Sequence, residues 1–269
     1  MTGGRLNVSA ALRSIGYENT PLSGNNISLD KACFTISGSY TIPERINGRT
    51  VTAIGSSAFA NQTQMSQIKI PTSVISIGLN AFENCTSLTN INLSNNLTTI
   101  GSSAFKGCTN LSSITIPNSV TILGSNMLSG CSSLTSITIP FVGASRTATG
   151  NDAKFGYIFG TSSYNGGVAT NQNGITYYIP TYLETVIITC GTNIPQDAFY
   201  NCTDLTNITI PNTVTIIGTN AFNGCVRFTS FTIPNSVTSL GSNILNQCVS
   251  LQSITISFVG KSRTSIMHC

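Results

Sequence analysis

The sequence predicts an α/β-type repeat solenoid, with a parallel β-sheet on one face and short helical turns or irregular segments on the other. A pattern of 23 residues recurs along the chain, and five copies align without gaps: 70–92, 93–115, 116–138, 210–232 and 233–255. Each copy ends in an apolar run that alternates with period two, which is typical of a strand with one buried face. One copy buries too few apolar side chains to offset the entropy of ordering it, so the copies must stack.

The strand lies at the end of each copy. The consensus reads I-P-x-S-V-T-x-I-G-x-x-A-F-x-x-C-x-x-L-x-x-I-x, and the alternation continues into the start of the next copy. Leu134, Ile137 and Ile139 show the spacing that predicts a short strand. Pro140 or its equivalent is expected to end this strand, because proline has no amide hydrogen to donate.

The segment after the strand is expected to cross to the opposite wall and turn back. The glycine of Val-x-x-Ile-Gly, for example Gly101, is expected to adopt a turn conformation closed to other residues. Ser102 and Ser103 can then cap a short helical turn, which would carry Ala104 and Phe105 into the core.

Breaks in the repeat divide the chain into five parts. The pattern stops after residue 139 and resumes near residue 183, and residues 256–264 copy residues 139–147 at an offset of 117. We therefore expect, in order, an N-terminal cap or leader at 1–39, a first repeat block at 40–139, an aromatic-rich insertion at 140–178, a second repeat block at 179–256, and the start of a second insertion or a truncated tail at 257–269.

Composition excludes several classes of function. Charged residues make up 7% of the chain, the net charge is +4, and no basic cluster offers a footprint for nucleic acid. No stretch approaches the ~18 apolar residues of a membrane span, and no signal peptide is visible in this chain. The one histidine, His268, lies near the C-terminal end, so catalysis by Ser-His-Asp or Cys-His groups is not expected.

The cysteines favour a structural role. No pair has the CxxC spacing of a zinc site, so neither a metal nor another cofactor is expected. Stacking would bring equivalent cysteines to about the 5 Å spacing of neighbouring strands, which makes a disulfide conceivable. A row of equivalent thiols has no natural pairing, however, and we expect a buried, reduced ladder. It contains Cys85, Cys108, Cys131, Cys202, Cys225 and Cys248, whereas Cys33, Cys190 and Cys269 lie off it.

Two sets of residues are candidates for ligand binding. The first set faces outward on the predicted strands and offers hydroxyls and amides: Thr135, Ser136, Thr138, Thr206, Asn207 and Thr209. The alternative for these residues is a solvated sheet rich in β-compatible threonine. The second set belongs to the insertion, where aromatic and arginine side chains would dominate an interface: Arg146, Phe155, Tyr157, Phe159 and Tyr164. Its alternative is that the insertion packs back on the solenoid.

The consensus resembles the 23-residue leucine-rich repeat of the BspA-like and Treponema surface proteins, over about residues 40–256 apart from the insertion. The resemblance implies a curved right-handed solenoid, an extracellular or cell-surface location, and adhesion to host matrix proteins, other cells or glycans. We therefore expect a noncatalytic interaction module. The alternative is a structural protein that assembles end to end into filaments or a coat, as a homo-oligomer, because the motif F-V-G-x-S-R-T of 141–147 recurs at 258–264.

Overall fold

The computed structural model describes residues 17–32 and 35–256. The expectations for Cys33, His268, Cys269 and the segment 257–269 lie outside the described residues. The strands in chain order are β1 (Tyr17–Pro21), β2 (Asn26–Ala32), β3 (Gly38–Thr41), β4 (Arg45–Ile46), β5 (Arg49–Ile54), β6 (Met65–Lys69), β7 (Ser76–Ile77), β8 (Asn90–Asn92), β9 (Thr99–Ile100), β10 (Ser113–Thr115), β11 (Ile122–Leu123), β12 (Ser136–Ile139), β13 (Gly167–Gln172), β14 (Ile175–Pro180), β15 (Thr185–Ile188), β16 (Asn193–Ile194), β17 (Asn207–Thr209), β18 (Ile216–Ile217), β19 (Ser230–Ile233), β20 (Ser239–Leu240) and β21 (Ser253–Ile256).

The first wall of the solenoid is a row of short strands that form three parallel sheets, β3-β6-β8, β10-β12-β15-β17 and β19-β21. The sheets lie side by side, because β8 contacts β10 and β17 contacts β19. β12 pairs directly with β15, with Ile137 opposite Val186, although the insertion separates them along the chain. The first wall is therefore continuous across the insertion, and the prediction of a parallel sheet on one face is confirmed.

The second wall is built from the two-residue strands of the Val-x-x-Ile segments and is divided into two pieces. One piece runs β1-β2-β5-β7-β9-β11, with β4 beside β5, and the other runs β16-β18-β20. β1 and β2 form an antiparallel pair at the N-terminal edge of the first piece. At the other edge, the pairing that β11 makes with the rest of the described chain is a single antiparallel bridge between Ile122 and Ser145. The second wall is thus interrupted where the first is continuous.

The third wall, called the turn wall, consists of the segment that carries Ala-Phe in each copy, such as residues 102–107. The prediction of helical turns here is wrong. Within 17–32 and 35–256 the helical segments are two 3-10 turns, Gly150–Ala153 and Phe155–Ile158, and both belong to the insertion. In the repeats, Ser103 and Gly107 adopt φ values of 55° and 73°, and two left-handed residues four apart are incompatible with an α-helix.

Backbone hydrogen bonds between copies replace the expected helical bonds of the turn wall. The amide of Phe59 donates to the carbonyl of Ala81 at 2.8 Å, and the amide of Phe82 donates to the carbonyl of Ala104 at 2.7 Å. The left-handed positions recur every 23 residues and are occupied mostly by Asn, Gly and Ser, of which Gly and Asn adopt this conformation most readily. This requirement accounts for part of the high asparagine content of the chain.

The glycine of the Val-x-x-Ile-Gly segment is needed for a different reason from the one expected. Gly101 is not among the residues with positive φ. A Cβ added to it would lie 2.6 Å from the carbonyl carbon of Gly78 in the preceding copy, and one added to Gly78 would lie 2.7 Å from the amide nitrogen of Ser56. The glycines therefore allow backbones to stack closely, rather than supplying a left-handed turn.

The core is a stack of identical side chains. The rings of Phe59, Phe82 and Phe105 are fully buried and parallel, with centroids 5.4 and 5.5 Å apart and planes inclined by 9° and 7°. In the fourth copy Leu128 occupies the same position and is also fully buried. As predicted, the Ala-Phe pair of each copy points inward.

Candidate functional site

The polar residues predicted to bind a ligand lie together on the outer side of the first wall. Ser136 and Asn207 flank Thr185 in register, and Thr138 and Thr209 flank Ile187. We call this surface, on β12, β15 and β17, the polar face. Ile187, 36% exposed, puts an apolar side chain at its centre. Sequence reasoning missed this strand's contribution, although the alternation of residues 183–188 indicates it.

Two hydroxyls of the polar face are engaged within the sheet. Oγ1 of Thr135 donates to the carbonyl of Ser112 at 3.1 Å, and Oγ1 of Thr206 donates to the carbonyl of Glu184 at 3.2 Å. Each bond joins neighbouring copies, so these threonines help to hold the stack together. Asn207 and Thr209 are exposed and offer the most accessible polar groups of the face.

Two aromatic residues of the insertion do not lie on a surface. Phe155 and Phe159 are fully buried, and their rings meet edge to face with centroids 5.2 Å apart. The ring of Phe155 also lies 4.8 Å from that of Phe199, at the start of the second block. The expectation that Phe155 and Phe159 contact a ligand is therefore corrected: both extend the core of the solenoid, because their apolar area is removed from water there.

Tyr157 and Tyr164 are half-buried. The hydroxyl of Tyr164 donates to the carbonyl of Tyr178 at 2.9 Å, which fixes it against the β13–β14 hairpin. Burial raises the pKa of Tyr164 above its ordinary value, and burial, followed by the charge of Asp152, raises the pKa of Tyr157. Both side chains therefore serve as partly exposed structural contacts.

Arg146 holds the start of the insertion against the fourth copy. Its Nη2 donates to the carbonyl of Asn118 at 2.8 Å, and its guanidinium lies 5.4 Å from the centroid of the Phe141 ring. Burial raises the pKa of the neighbouring Cys190 thiol, but hydrogen bonds from Arg146 and from the amide of Gly191, with the arginine charge, lower that pKa below its ordinary value. Arg146 thus has structural partners and remains partly exposed.

The insertion supplies an additional layer to the turn wall. The amide of Leu128 donates to the carbonyl of Ile158 at 2.8 Å, and the amide of Phe155 donates to the carbonyl of Ala198 at 2.8 Å. These bonds follow the pattern that links regular copies. The first wall gains no strand at this point. The extra layer of the insertion therefore separates the two blocks on the side of the turn wall only, and we call this layer the wedge.

A buried ion pair fastens this wedge to the second block. Lys154 Nζ lies 3.1 Å from Asp197 Oδ2, and the two side chains are 5% and 3% exposed. Asn173 and Asn220 donate to the same carboxylate at 2.8 and 3.1 Å. Burial raises the pKa of Asp197, but the hydrogen bonds from these amides and from Lys154 outweigh it and hold the pKa below its ordinary value. Asp197 is therefore ionised in the folded protein at neutral pH.

A second buried side chain also joins the insertion to the second block, and we call this contact region the junction. Gln172 is fully buried. Its Oε1 accepts from the amide of Gly156 at 2.8 Å, and its Nε2 donates to the carbonyl of Ala198 at 3.2 Å and to Cys202 Sγ at 3.4 Å. Gln172 therefore replaces the preceding copy as the partner of the first repeat cysteine in the second block.

The wedge leaves a cleft of about 430 Å³ in the second wall, called the junction cleft. Of the described residues that line it, Lys154 and Asp197 are the ionisable ones, and Pro195 stands where other copies have the stacking glycine. Sequence reasoning did not assign this site. Two features of the sequence could have indicated it: Pro195 in place of the stacking glycine, and the isolated charges of Lys154 and Asp197. The polar side chains along the cleft are Thr149, Asn151, Asn173, Asn193 and Gln196.

The six repeat cysteines are buried, and no disulfide joins the cysteines of the described residues. Apart from Cys202, each thiol donates to the carbonyl of a phenylalanine in the preceding copy, as Cys131 Sγ does to Phe105 at 3.3 Å. Burial raises the pKa of Cys131 to about 12. The Cys131 thiol is therefore a protonated donor at neutral pH.

Neither a metal centre nor a membrane-spanning helix is present in the part of the chain that the structure describes. No group of three or more His, Cys, Asp or Glu side chains there could hold a metal ion. No helix in the same residues is long and apolar enough to cross a membrane.

Comparison with known proteins identifies the repeat. Residues 27–148 and 192–267 match the BspA type leucine rich repeat region, in six copies. This chain belongs to the BspA-type leucine-rich repeat family. The gap between the two matched stretches, residues 149–191, contains most of the insertion.

This chain is similar to solved structures of bacterial leucine-rich repeat proteins, of which TpLRR shares the fold. The leucine-rich repeat protein TpLRR of T. pallidum is 21% identical over 89% of this chain and 89% of that chain, with a TM-score of 0.52. A leucine rich cell surface protein of Faecalibacterium prausnitzii A2-165 is 22% identical over 91% of this chain and 94% of that chain, with a TM-score of 0.37. A leucine-rich repeat protein of Bacteroides capillosus is 30% identical over 45% of this chain and 92% of that one, with a TM-score of 0.39. No curated protein matches the sequence.

Proposed function

We propose that this protein is a noncatalytic interaction module at the cell surface, and that the polar face binds protein or glycan ligands such as host matrix proteins. The observation that carries the proposal is the register of β12, β15 and β17, which brings together hydroxyl and amide groups from both blocks. Family membership supports an interaction module, and the resemblance to surface-displayed BspA-like proteins supports the location.

The chemistry of the polar face suits a ligand that is recognised without ionic steering. Ser136, Thr138, Asn207 and Thr209 carry no charge and can both donate and accept hydrogen bonds. Ile187 adds an apolar contact at the centre, which desolvates the surrounding hydrogen bonds when a partner covers it. Arg146, Tyr157 and Tyr164 lie outside the polar face, and each has a structural contact within the protein.

Binding to immobilised fibronectin, laminin and collagen tests the proposal. The double variant Asn207→Arg/Thr209→Arg places two charges on the polar face. The matched control, Ile216→Arg/Ser239→Arg, changes two exposed residues on neighbouring strands of the second wall. We expect the wild-type chain to bind at least one of these proteins, the first variant to lose at least about tenfold in affinity, and the control to bind normally. Equal binding by both variants would show that the polar face does not bind these proteins.

The alternative function is end-to-end self-assembly into a filament or coat. Val249 and Ile254 in the last described copy are 81% and 49% exposed, and β21 pairs on one side, with β19, within the described residues. An apolar surface beside an unpaired strand favours association with another such edge. Sedimentation of the chain over a range of concentrations distinguishes the two functions, because a monomer at high concentration is incompatible with self-assembly.

A further inference from the structure

The junction cleft has the size of a small-ligand site and arises from a defect in the stack. In regular copies the stacking glycine lets the second wall pack tightly on the preceding copy. Pro195 occupies this glycine position in the first copy after the insertion, where no preceding copy packs against the second wall. β16 is accordingly an edge strand in the described residues. The volume of about 430 Å³ lies within the range of roughly 300–1,000 Å³ found for small-molecule pockets.

The cleft is electrically balanced. Among the described residues that line it, the cationic and the anionic side chain, Lys154 and Asp197, are joined at 3.1 Å. A charged ligand would therefore gain little attraction and would have to compete with an existing ion pair. A neutral polar ligand avoids this competition.

The cleft nevertheless has hydrogen-bonding capacity to spare. Lys154 Nζ has three N–H donors and gives one to Asp197, while its side chain is 5% exposed. Asn173 and Gln196 each donate an amide N–H to Asp197, at 2.8 and 3.4 Å. Within the described part of the chain their amide oxygens accept no hydrogen bond, so both stay available at the cleft wall.

The donors and acceptors are held in position before any ligand arrives. Asp197 orients Asn173 and Gln196, and Lys154 is fixed by its ion pair. Pro195 and Ala148 add apolar surface beside these groups. Fixed donors, fixed acceptors and a small apolar patch complement a ring that carries hydroxyl groups on one side and C–H groups on the other.

From these observations we infer that the junction cleft is a binding site for a neutral saccharide unit. The site is distinct from the polar face and rests on the proposed function only in that the protein is a ligand-binding module. It gives a reason for the insertion: the wedge both joins the two blocks and opens the cleft.

The test uses the full chain and isothermal titration with glucose, galactose, mannose and N-acetylglucosamine, with N-acetylneuraminic acid as the charged probe. Asn193→Trp fills the cleft from an exposed position on β16, and Ser239→Trp makes the same change at the equivalent position on β20. Gln196→Ala provides a second variant, which removes one exposed amide without adding bulk.

We expect at least one neutral sugar to bind the wild-type chain, with affinity reduced at least about tenfold by Asn193→Trp, reduced to a smaller extent by Gln196→Ala and unchanged by Ser239→Trp. The inference would be overturned if no neutral sugar binds, or if only N-acetylneuraminic acid binds. It would also be overturned if Asn193→Trp and Gln196→Ala bind a neutral sugar as tightly as the wild-type chain does. The matrix-protein assay is run on the same preparations. Its result decides the polar face separately, because neither Asn193 nor Gln196 lies on the first wall.

Discussion

The regular copies and the junction between the blocks solve the same packing problem with different chemistry. In the regular copies, the same contacts recur every 23 residues: a phenylalanine ring packs on a phenylalanine ring, a thiol donates to a carbonyl, and a glycine packs against backbone. At the junction, the contacts are single and unlike: Phe155 on Phe199, Gln172 on Cys202, and Lys154 on Asp197.

The difference shows what a repeat protein needs in order to depart from its repeat. A regular copy is stabilised by its neighbours, so its residues are interchangeable between copies. The insertion has no such neighbour of its own kind and relies on specific polar groups. Burying those groups is costly unless each is paired. Loss of a single partner at the junction should therefore resemble loss of a large core side chain elsewhere.

The largest expected effect lies in the regular stack. Phe82→Ala removes the middle ring of three and should lower the free energy of unfolding by about 3–5 kcal/mol, because it leaves a cavity in a rigid column. Phe82→Leu is the matched control, since Leu128 fills the same position in the fourth copy, and it should cost clearly less. Urea denaturation measures both. Similar losses for the two variants would show that the column tolerates no leucine, contrary to the interchangeability of copies.

A slightly smaller effect is expected at the junction. Asp197→Asn leaves Lys154 buried without its counter-ion and should lower the free energy of unfolding by about 3 kcal/mol. Asp204→Asn is the control, because the Asp204–Arg227 pair lies at 3.6 Å with side chains 30% and 50% exposed, and such pairs contribute about 0–1 kcal/mol. If both variants unfold at the same urea concentration, the ion pair does not fasten the wedge.

The same carboxylate predicts a pH dependence. The pKa of Asp197 is lower in the folded protein than its ordinary value. Its contribution is therefore present above the ordinary aspartate pKa of about 3.9 and is lost as the pH falls toward the folded value. Between about pH 5 and pH 2 the wild-type chain should lose more stability than Asp197→Asn does. Parallel curves for the two proteins would contradict this assignment.

The smallest effect concerns thiol reactivity and leaves the fold intact. Cys190 is partly exposed and has a lowered pKa, whereas burial raises the pKa of a repeat thiol such as Cys131. In a background with Cys33→Ser and Cys269→Ser, one thiol should react rapidly with Ellman's reagent in the folded protein, and Cys190→Ser should abolish that phase. A rapid phase that persists in Cys190→Ser would show that the repeat thiols are accessible.

Periodicity predicted the features that recur. It placed the strand that ends at Ile139, identified Phe105 as inward and aligned the polar face. It did not predict the turn wall, although left-handed residues such as Asn80 and Asn84 occupy recurring positions. The choice between a helical turn and bonds to the next copy depends on stacking, and local propensity does not contain that information.

The junction could not be predicted because nothing in it recurs. Lys154 and Asp197 are 43 residues apart and are two isolated charges in a chain with few. The aromatic composition of the insertion suggested an interface, yet Phe155 and Phe159 are as buried as the phenylalanines of the stack. An aromatic segment that fills a gap in a core has the same composition as one that binds a partner.

Native-state hydrogen exchange shows whether the insertion is a structural layer of the solenoid. The amide of Phe155 donates to Ala198 as that of Phe82 donates to Ala104, so the two should exchange with comparable protection. The amide of Gly174, in the exposed loop between β13 and β14, donates to the side-chain oxygen of Asn171 at 3.0 Å rather than to a carbonyl of a neighbouring copy, and it should exchange faster. If the Phe155 amide exchanges as fast as that of Gly174 while the Phe82 amide is protected, the insertion is not a layer of the stack.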